Sequence, residues 1–106
     1  MNNQELQKSL SFILYNLCYH HKDGNPPLSN HEIDRLLSDG EDNKTRRNTY
    51  CKCLIWAKDN PSANYQDIML ENRSYTNEYI YSYLMKMYEQ IEDANIFEKY
   101  ELENSH

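Results

Sequence analysis

The strongest local pattern lies in residues 28–58, which read LSNHEIDRLLSDGEDNKTRRNTYCKCLIWAK. Ser29 and Glu32 form a capping box, a pattern in which two side chains satisfy free backbone N–H groups at the start of a helix. Leu28, just before the cap, can pack onto Ile33 one turn later. Gly40 predicts the end of this helix, because glycine readily adopts the conformation that closes a helix. The pattern predicts one short helix.

A second helix follows within the same stretch. Asn43 or Thr45 can cap its start, and Pro61 predicts an end near Asp59. Apolar residues at three- and four-residue steps define its inner face, which consists of Tyr50, Cys53, Leu54 and Ala57. The two helices are therefore expected to be joined by DGEDN, a connection of five residues.

The rest of the chain also favours helices. Residues 4–21 carry apolar side chains at helical spacing, and residues 60–70 are typical of a brief helix opened by an Asn-Pro pair. A last long helix begins at Thr76 or Asn77 and runs to about Asp93. The ANIFEKYEL segment that follows either continues this helix or forms a final turn.

The fold class follows from these elements. No segment shows the period-two alternation of a half-buried strand, and the chain contains only two glycines. At 106 residues the chain is long enough for one core of its own. The sequence predicts an all-α protein, a single domain over residues 1–106 that forms a compact bundle of four to six helices.

The charge of the chain limits the kinds of partner. The formal net charge is −6, which argues against general nucleic-acid binding and favours a basic protein partner. The balance is uneven, because residues 44–58 carry five cations and no acid, whereas residues 89–103 carry six acids against Lys99 alone. Any interaction with nucleic acid would have to use the first of these segments.

Metal binding and catalysis are not expected. Cys51 and Cys53 would lie about 200° apart on a helix and cannot close on one ion. The CYHH run at residues 18–21 lacks the spacing of a zinc site, and no glycine elbow or phosphate loop assembles a nucleophile with a base. We expect no metal site, no cofactor and no catalytic residue, and therefore a protein that is not an enzyme.

The expected location is the cytoplasm. MNNQELQKSL lacks the features of a secretory signal, and no run of about 18 apolar residues occurs, so no membrane association is expected. Three cysteines, two of them separated by one residue, favour a reducing compartment.

Tyrosines crowd the last long helix, where SYTNEYIYSYLMKMY carries five in residues 74–88. At 100° per residue, Tyr79 and Tyr83 flank the apolar stripe on one edge, and Tyr81 and Tyr88 flank it on the other. Such rings can border a core without any partner, or anchor one where an edge is exposed. We expect binding at the edge that the other helices leave uncovered.

Residues 28–58 resemble a helix-turn-helix, since a short capped helix and a glycine-containing turn precede a second helix with cations in its first turn. The resemblance implies DNA binding. The residues that it places at phosphates and base edges are Lys44, Arg46, Arg47 and Asn48.

In general character the chain is similar to bacterial immunity proteins that neutralise toxin nucleases and to small phage-encoded inhibitors of defence nucleases. This resemblance implies an inhibitor that binds a basic protein, a toxin or a defence nuclease, through acids and aromatic anchors. The predicted partner-binding residues are Tyr79, Tyr81, Tyr83, Tyr88, Glu78, Glu89, Glu92 and Asp93. A second patch, consisting of Phe12, Tyr15 and Tyr19, is the alternative surface and would also suit a homodimer.

Overall fold

The computed structural model describes residues 3–19, 26–68 and 75–104, with the backbone alone described for residues 3 and 16–19. Six helices and no strands occur in these ranges, so the prediction of an all-α bundle of four to six helices is confirmed. The helices are α1 (Asn3–Tyr19), α2 (Asn30–Leu37), α3 (Glu41–Asp59), α4 (Tyr65–Ile68), α5 (Asn77–Asp93) and α6 (Ile96–Asn104).

Two helices begin at the caps that the sequence predicts. The Ser29 hydroxyl accepts a hydrogen bond from the Glu32 backbone N–H at 3.2 Å. The Thr76 hydroxyl accepts one from the Tyr79 N–H at 3.1 Å. Each cap satisfies one of the N–H groups that lack a partner in the first turn of a helix.

The boundary between α2 and α3 differs from the prediction. Helix α2 ends at Leu37, with Ser38 as its C-cap, and Gly40 is the N-cap of α3 rather than the end of α2. Helix α3 therefore begins at Glu41, earlier than Asn43 or Thr45, and its first turn carries two acids that suit the positive end of the helix dipole. The connection is three residues long instead of five.

Helix α3 lies at the centre of the bundle and packs against α1, α2, α5 and α6. Because it has neighbours on several sides, its buried positions extend well beyond the predicted inner stripe. They are Arg47, Tyr50, Cys51, Cys53, Leu54 and Ala57. Trp56, which is not part of the predicted inner stripe, is half-buried, and its ring packs edge to face on Tyr65 with centroids 6.2 Å apart.

The remaining elements complete the core. Helix α4 begins at Tyr65 and not at Asn60, because Pro61 and the residues after it form a turn. The ANIFEKYEL segment does not continue α5, because Ala94 and Asn95 form a turn and a separate helix, α6, begins at Ile96. Asn95 has a φ of 60°, the left-handed conformation that asparagine tolerates better than most residues.

None of the helices in the described ranges is both long enough and apolar enough to cross a membrane.

Candidate interaction surfaces

The outer side of α5 and α6 is acidic. Six carboxylate side chains here are exposed, and within the described residues none of them forms an ion pair; they are Glu78, Glu89, Glu92, Asp93, Glu98 and Glu101. Glu78, Glu89 and Asp93 fall within roughly 60° of one another around α5. We call these six residues the acidic surface.

The cations on α5 and α6 offset little of this charge. Lys86 is exposed on α5, and it offsets only one of the six negative charges. Lys99 on α6 pairs with Asp39 at 2.6 Å and also donates to the Leu37 carbonyl at the end of α2. The Lys99 ammonium holds the pKa of the Asp39 carboxyl below its usual value. Lys99 therefore serves an internal contact, and the acidic surface keeps its negative field.

The four tyrosines that we predicted as anchors lie in different environments. Tyr83 is only 4% exposed, so in this structure its side chain is not accessible to a partner as the sequence predicted. The physical reason is that both sides of the apolar stripe of α5 are covered, since this helix packs against α3, α4 and α6. On the first predicted edge Tyr83 is buried, and on the second edge both tyrosines are half-buried, so neither edge is fully exposed.

Tyr81 and Tyr88 are half-buried border residues. The Tyr81 ring lies 6.1 Å from that of Tyr65, and the Tyr88 ring lies 4.6 Å from that of Phe97, measured between centroids. Lys58 Nζ donates to the Tyr88 hydroxyl at 3.2 Å, and this contact raises the pKa of Lys58. Both rings thus have internal packing roles and present only part of their surface to solvent.

Tyr79 is the most exposed of the four, with 40% of its surface accessible. Its ring stacks on Tyr75, with centroids 5.0 Å apart and planes inclined by 15°. It lies one residue after Glu78, at the start of α5. The stacked rings therefore lie at the end of α5 that carries Glu78.

Two of the three basic residues of the helix-turn-helix resemblance form ion pairs within the protein. Arg47 is fully buried, forms an ion pair with Glu103 and donates from Nη1 to the carbonyls of Leu36 and Ser38. In this structure Arg47 is therefore not accessible to DNA as the sequence predicted, because its position on α3 faces the interior of the bundle. In the sequence Arg47 lies among cations that are expected to be exposed, and its burial depends on how α6 packs against α3.

The other three residues of that set are placed differently. Arg46 is 28% exposed and its Nη1 lies 3.2 Å from Glu32 Oε1. Asn48 is half-buried, and its Oδ1 has no hydrogen-bond partner within the described residues. Lys44 is exposed, and Lys52, two turns later, is exposed on the same side of α3. Three lysines of this helix are exposed, and they are Lys44, Lys52 and Lys58. Because Lys58 donates to the Tyr88 hydroxyl, Lys44 and Lys52 are the exposed lysines that remain.

The second patch is exposed where it is described. Phe12 and Tyr15 on α1 have 56% and 51% of their surfaces accessible. The side chain of Tyr19 lies outside the described residues. Phe12 also lines a groove of about 400 Å³ between α1 and α3, which we call the α1–α3 groove. Its lining residues are Lys8, Ser9, Phe12, Asp42, Thr45, Arg46, Thr49 and Tyr50.

The α1–α3 groove brings Phe12 and Arg46 together, although the sequence assigned them to separate surfaces. At its floor, burial and the neighbouring Glu32 carboxylate raise the pKa of Tyr50 to about 12, so the hydroxyl stays protonated. Lys8 and Thr49 are not among the residues predicted from the sequence. A signal for Lys8 existed, since it precedes Phe12 by four residues and shares its side of α1.

The described residues hold no group of three or more histidine, cysteine or acidic side chains arranged for a metal ion. Cys51 and Cys53 are free and fully buried. Burial raises the pKa of the Cys51 thiol to about 12 and that of Cys53 to about 11. Both thiols are therefore core side chains with negligible thiolate character at neutral pH.

The chain matches no known protein family, no curated protein and no solved structure.

Proposed function

We propose that this protein is a non-enzymatic inhibitor of the immunity or anti-defence type, which acts in the cytoplasm and uses its acidic surface to block a basic, nucleic-acid-acting protein. The observation that carries the proposal is the set of six exposed carboxylates on α5 and α6 that have no cation partner within the described residues. A protein that binds nucleic acid must present a basic face to phosphates, and this surface is complementary to such a face.

Aromatic contacts supplement the charge. Tyr79 and Tyr75 offer stacked, partly exposed rings at the start of α5, and Tyr81 and Tyr88 offer the rims of half-buried rings. Tyrosine buries a large area while losing few rotors, which is why it is common among residues that dominate binding energy. In this proposal the acids accelerate the encounter, and the rings slow dissociation.

Parallel affinity capture from the native host tests the proposal. The bait is compared with a variant that carries Glu89→Lys and Asp93→Lys, and with a control that carries Asp34→Lys and Asp59→Lys. Both variants have the same net charge, and all four positions are exposed. Retention of one basic protein by the wild type and the control, but not by the first variant, is expected. Equal retention by all three baits would reject the acidic surface.

The second candidate function is DNA binding through α3, and the observation that favours it is the short connection of three residues between α2 and α3. Helix-turn-helix motifs join their helices by a turn of similar length. The contacting cations would be Lys44 and Lys52. Retention on duplex DNA that falls steeply with salt, and that is lost with Lys44→Ala and Lys52→Ala, is the expected result for this candidate. Absence of retention at low salt removes it.

A further inference from the structure

The α1–α3 groove has the dimensions and the polarity of a small-ligand site. Its volume of about 400 Å³ falls within the usual range for such sites. One wall is α1, with Lys8 and Phe12, and the other is the first half of α3, with Thr45 and Thr49. The groove lies away from the acidic surface, so the inference is independent of the proposed inhibitor function.

The groove is less acidic than the rest of the chain. Two cations, Lys8 and Arg46, and one acid, Asp42, line it, and Glu32 pairs with Arg46 beside it, in a protein whose net charge is −6. The Arg46 guanidinium has five N–H donors, and the bond to Glu32 uses one of its nitrogens. Lys8 is exposed and has no ion pair within the described residues. The groove therefore favours an anionic group.

The aromatic ring at the mouth favours a flat partner. Phe12 is 56% exposed although it is one of the most apolar residues of the chain. A planar group that stacks on this ring removes apolar surface from water and gains the offset contact that aromatic pairs prefer. A simple inorganic anion would leave this ring exposed, so charge alone does not account for the lining.

The hydroxyls of the α3 wall act as acceptors. Thr45 Oγ1 donates to the Glu41 carbonyl at 3.2 Å, and Thr49 Oγ1 donates to the Thr45 carbonyl at 3.1 Å. With their protons engaged by the backbone, both oxygens present lone pairs for a ligand N–H. Asp42 adds a carboxylate acceptor at the same wall. The groove thus joins cations, a ring and acceptors for an amino group.

We propose that the α1–α3 groove binds a small anion that carries a planar, amino-bearing ring, with the anionic group at Lys8 and Arg46 and the ring against Phe12. Nucleoside monophosphates have this chemistry, and aromatic carboxylates share its first two features. Neither a lone anion nor an uncharged ring uses all the groups that line the groove.

The test is a titration of the ¹⁵N-labelled full chain followed by backbone amide shifts, with four probes: adenosine monophosphate, phenylacetate, inorganic phosphate and adenosine. Saturable shifts of amides in 8–12 and 42–50 with a ring-bearing anion are expected, with adenosine and phosphate binding at least about tenfold more weakly. Tighter binding of the nucleotide than of phenylacetate is expected, because only the nucleotide carries an amino group for the acceptors of the α3 wall. The reverse order would contradict the role of these acceptors.

Matched variants locate the binding. Phe12→Ala is expected to raise the dissociation constant about tenfold, and Lys8→Gln about fivefold, the effect of one exposed charge pair. Tyr15→Ala, on the same helix, and Lys52→Gln, on the outer side of α3, serve as controls and are expected to leave it unchanged. Far-UV circular dichroism verifies that each variant is folded.

Three results would overturn the proposal. The first is the absence of saturable shifts with either ring-bearing anion at millimolar concentration. The second is binding that Phe12→Ala leaves unchanged, or that Lys52→Gln weakens as much as Lys8→Gln does. The third is a dimer by light scattering that Phe12→Ala dissociates, since Phe12 would then be covered by a second copy of the chain.

Discussion

At the scale of single residues, Arg47 stands out because its charged side chain is fully buried. It is the one buried charged side chain in the described ranges, and it joins the end of α2 to α6 through two carbonyls and the Glu103 carboxylate. Removing a charge from water costs several kcal/mol, which only close partners offset. Arg47 therefore has a structural role in the centre of the bundle.

Arg47→Met is expected to lower the free energy of unfolding by about 3 kcal/mol, because it leaves the Leu36 carbonyl buried without a donor and Glu103 without its cation. Urea denaturation followed by circular dichroism measures the change. Lys52→Met, at an exposed position of the same helix, is the control and should stay within about 0.5 kcal/mol of the wild type. Equal stability of the two variants would contradict the structural role.

The two described thiols are expected to resist alkylation. At pH 8, pKa values of about 12 for Cys51 and about 11 for Cys53 leave almost no thiolate, and neither sulfur is accessible. Iodoacetamide should modify both cysteines at least about 100-fold more slowly in the native protein than in urea. Peptide mass spectrometry measures each site. Native modification at the rate of the unfolded chain would show that α3 is not the central helix.

At the scale of elements, Gln90 connects α5 to the chain that leads into α2. Its side-chain amide accepts from the Leu28 N–H at 2.9 Å and donates to the Leu28 carbonyl at 3.0 Å. This pair satisfies both backbone groups of a residue that is 2% exposed. The side chain thus takes the place of a neighbouring backbone strand.

Gln90→Ala is expected to lower the free energy of unfolding by about 1–3 kcal/mol, because both buried backbone groups of Leu28 lose their partner. Hydrogen exchange should also show reduced protection of the Leu28 amide. Ser82→Ala, exposed on the same helix, is the control for helix propensity. Unchanged Leu28 protection in the Gln90 variant would mean that another group holds this segment.

Helix starts could be predicted from the sequence because their causes are local. Ser29 and Thr76 satisfy N–H groups three residues away, so the chain itself contains both partners. Gly40 was misassigned because a glycine can end one helix or precede the next, and the acids after it decide between the two. The burial of Arg47 could not be predicted, since its partner Glu103 lies 56 residues further along the chain.

At the scale of the whole molecule, ion pairs between segments leave an excess of acids, because the chain has 17 acidic residues and 11 lysines and arginines. Arg46, Arg47 and Lys99 all pair with carboxylates of other segments. The negative net charge and the uneven distribution were evident from the sequence. The sequence does not show which tyrosine edge of α5 is exposed, because this depends on where α3, α4 and α6 pack against α5. Most of the acidic side chains in the described ranges are exposed, whereas most of the aromatic side chains there are buried or half-buried.

The proposed function requires that the acidic surface bind a basic partner. The most direct measurement is the association rate constant of the captured partner, by stopped flow at low and at physiological ionic strength. Glu89→Lys with Asp93→Lys should reduce it about tenfold or more at low salt, and less at high salt, because steering by charge is screened. The control with Asp34→Lys and Asp59→Lys should retain most of the wild-type rate. Equal rates for the two variants would contradict the claim.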